Sequence, residues 1–94
     1  MLSQIPIDIS NLPEKRLNKE ILRAAIIAEL DAINLYEQMA AMTEKEQIKK
    51  VLLDVAKEEK EHVGEFQTLL LRFDEEQVQE LEEGKKEVEE LIGK

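Results

Sequence analysis

Two apolar stripes at helical spacing, running side by side through the first half of the chain, constrain its fold more than any other feature. One follows Leu17, Ile21, Ala24, Ala28, Ala32 (or Asp31), Leu35, Met39 and Met42. The other follows Leu22, Ile26, Glu29, Ile33, Tyr36 and Ala40. Steps of three and four residues keep side chains on one helix face, and two adjacent stripes mark the wide buried face of a bundle helix. The pattern predicts a helix over 18–42, with Asn18 as N-cap and Glu20 near the positive end of the helix dipole. Thr43 and Glu46 then stand three apart, the spacing of a capping box. A second helix over 44–73 is expected to follow at once, with the stripe Ile48, Leu52, Val55, Glu59, His62, Phe66, Leu69 and Phe73. Helices joined this tightly form an antiparallel hairpin.

The flanks are less regular. Asp74 and Gln77 form another cap-like start, and Val78, Leu81, Val88, Leu91 and Ile92 line one face of a short third helix over 75–92. Gly84 weakens that helix in its middle. Residues 74–94 hold nine acids and three bases, which reads as a solvated helix face rather than an acidic binding tail. Residues 1–17 read as an irregular arm, because Pro6 and Pro13 break regular structure and Ser10-Asn11 is a turn signal. Leu2, Ile5, Ile7, Ile9 and Leu12 give the arm something to pack with. The fold class is all-α, in a single domain over 1–94. A chain of 94 residues buries little core alone, so the hairpin and short third helix are expected to complete a four-helix bundle by homodimerisation.

Charge narrows the partners. Thirteen basic against twenty-two acidic side chains leave a formal charge of −9, which argues against nucleic acid and anionic membranes and favours cations. Without cysteine there is no disulfide, thiolate metal site, iron–sulfur cluster or thiol nucleophile. No apolar run approaches the ~20 residues that cross a bilayer, and Met1–Ser10 has no basic leader pattern, so a cytoplasmic protein is expected.

Most glutamates sit where a solvated helix face would put them. Two do not. Glu29 has Ala25, Ile26, Ala32 and Ile33 as its helical neighbours, and Glu59 has Val55, Ala56 and Val63. An ionised carboxylate buried without a partner costs several kcal/mol, so each of these needs a cation. The remaining neighbour of Glu59 is His62, the sole histidine, and Glu59-x-x-His62 puts carboxylate and imidazole on one face. Di-iron and di-manganese carboxylate bundles use a Glu from each of two helices and a Glu-x-x-His from each of two more. One chain supplies half of that set, and a two-fold pair would supply all of it. The bland alternatives are an ion pair for Glu29 and a half-exposed interface position for His62. Met39 and Met42 read as core positions. Oxygen and imidazole ligands suit iron, manganese and zinc alike.

The run Ala25-Ile26-Ile27-Ala28-Glu29-Leu30-Asp31-Ala32-Ile33-Asn34-Leu35-Tyr36-Glu37 strongly resembles the first helix of the encapsulated ferritins. Asp54-Val55-Ala56-Lys57-Glu58-Glu59-Lys60-Glu61-His62 resembles their second-helix motif. The likeness covers 18–73 closely, extends over 74–92, and is nearest to the form fused at the amino end of an encapsulin shell protein. It implies a ferroxidase that oxidises Fe(II) with oxygen, with Glu29, Glu59 and His62 as metal ligands and catalytic residues. It also implies two irons at each dimer interface, with Mn or Zn as substitutes, and dimers assembled into a decameric ring. Iron storage in the lumen of an encapsulin nanocompartment follows from the same likeness. Asp31, Tyr36 and Glu58 are the expected supporting or metal-access residues. Where relatives carry an acid at the access site this chain has Ala28, and Leu35 stands where some have tryptophan. Ile92-Gly93-Lys94 does not match the apolar-basic targeting peptide of stand-alone members, so an excised fusion domain or a different recruitment is expected.

Two other classes remain in view. One is a different iron or manganese redox enzyme on the same bundle. The other is a metal-free helical oligomerisation module.

Overall fold

A computed structural model describes residues 13–94, and the expectations for the arm over 1–12 fall outside the described residues. Three helices follow one another: α1 (Glu14–Met42), α2 (Glu46–Phe73) and α3 (Glu75–Ile92). Among the described residues there is no strand.

α1 begins four residues before the expected start. Pro13 lies at its N-cap with φ −58° and ψ 145°, and its carbonyl accepts the Leu17 N–H at 2.8 Å. Proline fixes φ near the value seen and its carbonyl accepts the first intrahelical bond, so the helix opens here without a side-chain cap. Arg16 donates from Nε to Glu20 at 3.0 Å in the first turns, and Asn18 is interior rather than a cap. Residues 14–17 are therefore helix rather than arm. The Thr43–Glu46 capping box does not form either. Thr43 closes α1, donating its N–H to the Met39 carbonyl, while its hydroxyl accepts the Lys45 N–H at 3.2 Å. With the hydroxyl used in the turn, α2 starts at Glu46 with Lys45 as an N-cap that makes no side-chain bond.

The connection is three residues long, and α1 and α2 pack along each other as the expected hairpin. At 1.5 Å per residue each is about 42–44 Å long. Their shared seam is thin: among the described apolar residues only Ile33, Ala40, Ala56 and Leu70 are buried. Much apolar surface faces outward instead. Ile48, Val51, Leu69 and Phe73 on α2 are each 44–63% exposed. Ile48, Leu69 and Phe73 belong to the three-and-four stripe that also carries His62, so one edge of the hairpin is apolar and uncovered by the chain itself.

α3 starts as expected. The Asp74 carboxylate accepts the Gln77 N–H at 3.1 Å through Oδ1. The helix continues without a break through Gly84 and closes at Gly93, whose φ of 80° is the left-handed conformation that glycine adopts freely. No residue of α3 is buried; it touches α2 sparingly and leaves the hairpin as an arm, giving a flat molecule of 46 × 44 × 20 Å. Among the described residues no helix is long and apolar enough to cross a membrane.

Candidate metal centre

The seam of the hairpin brings Glu29, Glu59 and His62 together. Glu29 comes from α1, one turn before buried Ile33, and Glu59 comes from α2, one turn after buried Ala56. Each replaces an apolar residue in its stripe, so each carboxylate turns inward with only 19% and 20% of its side chain exposed. His62 lies one turn after Glu59 and is more open, at 41%. Its Nδ1 stands 3.4 Å from Glu29 Oε2 and 3.5 Å from Glu59 Oε2. One ligand atom from each of the three lies within 4.8 Å of the others.

These separations are long for hydrogen bonds. Glu29 Oε2 is buried and accepts no hydrogen bond at all. A carboxylate oxygen removed from water and left without a donor costs about 1–3 kcal/mol or more, since it is charged. A cation removes that cost. Bonds of about 2.1 Å around a tetrahedral ion place ligand atoms about 3.4 Å apart, close to the spacing around Nδ1. The donor set of two carboxylates and one imidazole therefore fits a divalent first-row metal. The ion-pair alternative for Glu29 is disfavoured, because its inward oxygen meets no lysine or arginine. Lys60 turns elsewhere, pairing with Glu37 across the hairpin at 3.0 Å.

The surrounding residues take different places. Tyr36 is half-buried and seven positions after Glu29, so it lies on the same face about 10 Å further along the helix. Asp31 is half-buried but only two positions from Glu29, which turns it about 200° around the helix and away from the triad. Glu58 and Glu61 are exposed. Sequence reasoning did not find Arg23, whose guanidinium reaches from α1 to Asp74 Oδ2 at 2.9 Å. The 51 positions between them hide that pair from any local pattern.

An antiparallel α-helical hairpin followed by a short third helix has the form of a ferritin-like bundle element. Comparisons with known proteins agree. The rubrerythrin family matches over residues 20–92. The chain is 69% identical over 74 residues to a ferritin-like–encapsulin shell fusion protein of Pyrococcus furiosus, covering 79% of this chain and 21% of that protein. It is 42% identical over 71 residues to an encapsulin nanocompartment cargo protein of Myxococcus xanthus, covering 72% of this chain and 55% of the relative. The crystal structure of the encapsulated ferritin domain from Pyrococcus furiosus superposes with a TM-score of 0.86 at 58% identity, covering 100% of this chain and 98% of that one. The chain belongs to the encapsulated ferritins, within the rubrerythrin family. It spans about a fifth of the fusion protein and about half of the cargo protein.

Proposed function

We propose that this chain is a ferroxidase whose di-iron site is shared between two copies, and that it oxidises Fe(II) for storage inside an encapsulin compartment. The observation that carries the reading is the buried, unpartnered Glu29 Oε2, gathered with Glu59 and His62 inside a 4.8 Å cluster. One chain offers two carboxylates and one imidazole, half of what a di-iron carboxylate bundle uses. A two-fold partner seated on the exposed apolar edge beside His62 doubles that set and covers Ile48, Leu69 and Phe73 in the same step.

Fe(II) is the substrate. Each ion gives up one electron, and the two electrons from one site, with two protons from water, reduce one dioxygen to hydrogen peroxide. The residues of this chain bind and bias. Glu59 and Glu29 would hold the ions from facing helices through their carboxylates, and His62 would add an imidazole nitrogen. Four carboxylates in a partly dehydrated seam favour the ion of higher charge, which lowers the cost of losing the electron. The net charge of −9 draws Fe(II) to the molecule. An encapsulin shell protein as host belongs to this reading by likeness to the fusion and cargo relatives, the ring of ten copies by the family resemblance of the sequence, and the cytoplasmic location by the sequence alone.

Metal analysis of protein purified without chelator, read beside an Fe(II) oxidation assay, tests it. Bound iron and rapid oxidation are the expected result. Bound manganese without Fe(II) oxidation points to another redox enzyme on the same frame. Absence of any bound metal, with oxidation no faster than in buffer, leaves an oligomerisation module.

A further inference from the structure

Far from the metal cluster, a single residue joins two helices and carries the buried charge of that junction. Asp74 is the one non-helical residue between α2 and α3, and among the described residues it is the only buried charged one. Its two carboxylate oxygens serve different elements. Oδ1 accepts the Gln77 N–H and so begins α3, while Oδ2 accepts Arg23 Nη2 from α1 at 2.9 Å. The geometry points to an Arg23–Asp74 latch that sets the direction in which α3 leaves the hairpin.

Three features support it. α3 buries none of its own residues and packs little against α2, so its packing alone holds its direction weakly. Asp74, with φ −141° and ψ 87°, is the single non-helical residue between the two helices, so the direction of α3 turns on the dihedral angles of one residue. The guanidinium of Arg23 links α1 directly to the α2–α3 junction. The charges lining the same recess are Lys15, Lys19 and Arg23 from α1, Arg72 from α2, and Glu75 and Glu76 from α3. Lys19 and Arg23 of α1 thus act on the Asp74 carboxylate, and the acids of α3 lie at its start. Arg23 keeps 48% of its side chain in water, against 8% for Asp74, so the arginine is the movable half and the aspartate the fixed one. Opening the latch removes the link to α1 while the Gln77 cap remains, so α3 stays helical and loses only its direction.

The chain has no cysteine, so spin labels can be placed at will. Labels at Asn34→Cys on α1 and Glu87→Cys on α3, both exposed, report the angle by pulsed electron spin resonance. Diluting the labelled chain into excess unlabelled chain keeps the measured pairs within one molecule. The latched protein gives one narrow distance peak. Arg23→Gln loses that peak to a broad distribution while circular dichroism stays unchanged. Should Arg23→Gln lose helix, Asp74→Asn takes its place, since it keeps an oxygen for Gln77 and removes the charge that holds Arg23. A peak as narrow as in the unsubstituted chain, in whichever variant keeps its helix content, overturns the latch.

Discussion

The hairpin and the arm are built from the same residue types and do opposite things with them. α3 carries glutamates at eight of its eighteen positions, all exposed, and buries nothing. α1 and α2 also carry many acids, but Glu29 and Glu59 sit inside apolar stripes and turn into the seam. The count of acids says little; the helical position of each one decides whether water or a cation must neutralise it. The same contrast holds for caps. In α3 the aspartate that opens the helix is buried and bound on both oxygens, whereas α1 and α2 open with no side-chain bond. The arm is anchored by polar contacts at its base, and the hairpin by apolar contacts along its length.

The largest expected effect lies in the seam. His62→Ala should slow Fe(II) oxidation by at least about 10- to 100-fold, the loss usual when a group merely supporting a metal ligand is removed. Glu58→Ala and Glu61→Ala, on the exposed side of the same helix, should leave the rate within about two-fold, as surface substitutions do. Equal losses in all three, by initial rates of Fe(III) formation, would erase the distinction between inward and outward acids.

Stability sharpens the comparison next. Glu29→Gln keeps the shape and removes the charge of the unpartnered oxygen, so the metal-free protein should gain about 1 kcal/mol. The same variant should gain less than the unsubstituted chain when Fe(II), Mn(II) or Zn(II) is added, because metal stabilises only the folded state that binds it. Thermal melts with chelator and with metal read both signs. If Glu29→Gln destabilises the metal-free form, Glu29 is a satisfied ion-pair residue and the seam resembles the arm after all.

At the base of the arm, pH is the probe. The Gln77 N–H holds Asp74 below the ordinary carboxylate range, with Arg23 and Lys19 acting in the same direction and burial opposing them. A carboxyl whose folded pKa is depressed adds stability above its unfolded pKa, near ~3.9 for aspartate, and that stability is lost as pH falls through the folded value. The midpoint of thermal unfolding, followed across the acid range, should therefore fall with a component that Asp74→Asn removes. An identical acid profile in the variant would mean that Asp74 does not tie α3 down.

The smallest effect belongs to the ion pair on the hairpin surface. Lys60 and Glu37 are 59% and 45% exposed, so Lys60→Ala should cost no more than about 0.5 kcal/mol in a thermal melt, and less at high salt.

Much of this was legible in the residues. Two polar positions interrupting the stripes of facing helices have to share a seam, so Glu29, Glu59 and His62 meet where periodicity brings them. Asp74 three positions before Gln77 announces α3, because that cap is local. The start of α1 was not legible, since Asn18 is a good cap by type and only the backbone reveals that Pro13 already serves. Thr43 misled for a related reason: its hydroxyl has two local N–H groups to choose from, and the turn takes the nearer one. Gly84 does not interrupt α3, because one glycine costs an exposed helix about 1 kcal/mol and does not end it. Arg23–Asp74 was out of reach, because it exists only once α1 and α2 lie antiparallel.

The central claim is that one chain holds half a site, and dilution tests it most directly. Fe(II) oxidation per chain, measured across a concentration series with light scattering on the same samples, should fall in step with the dimer and larger species. Full activity per chain in a solution shown to be monomeric would contradict the shared site.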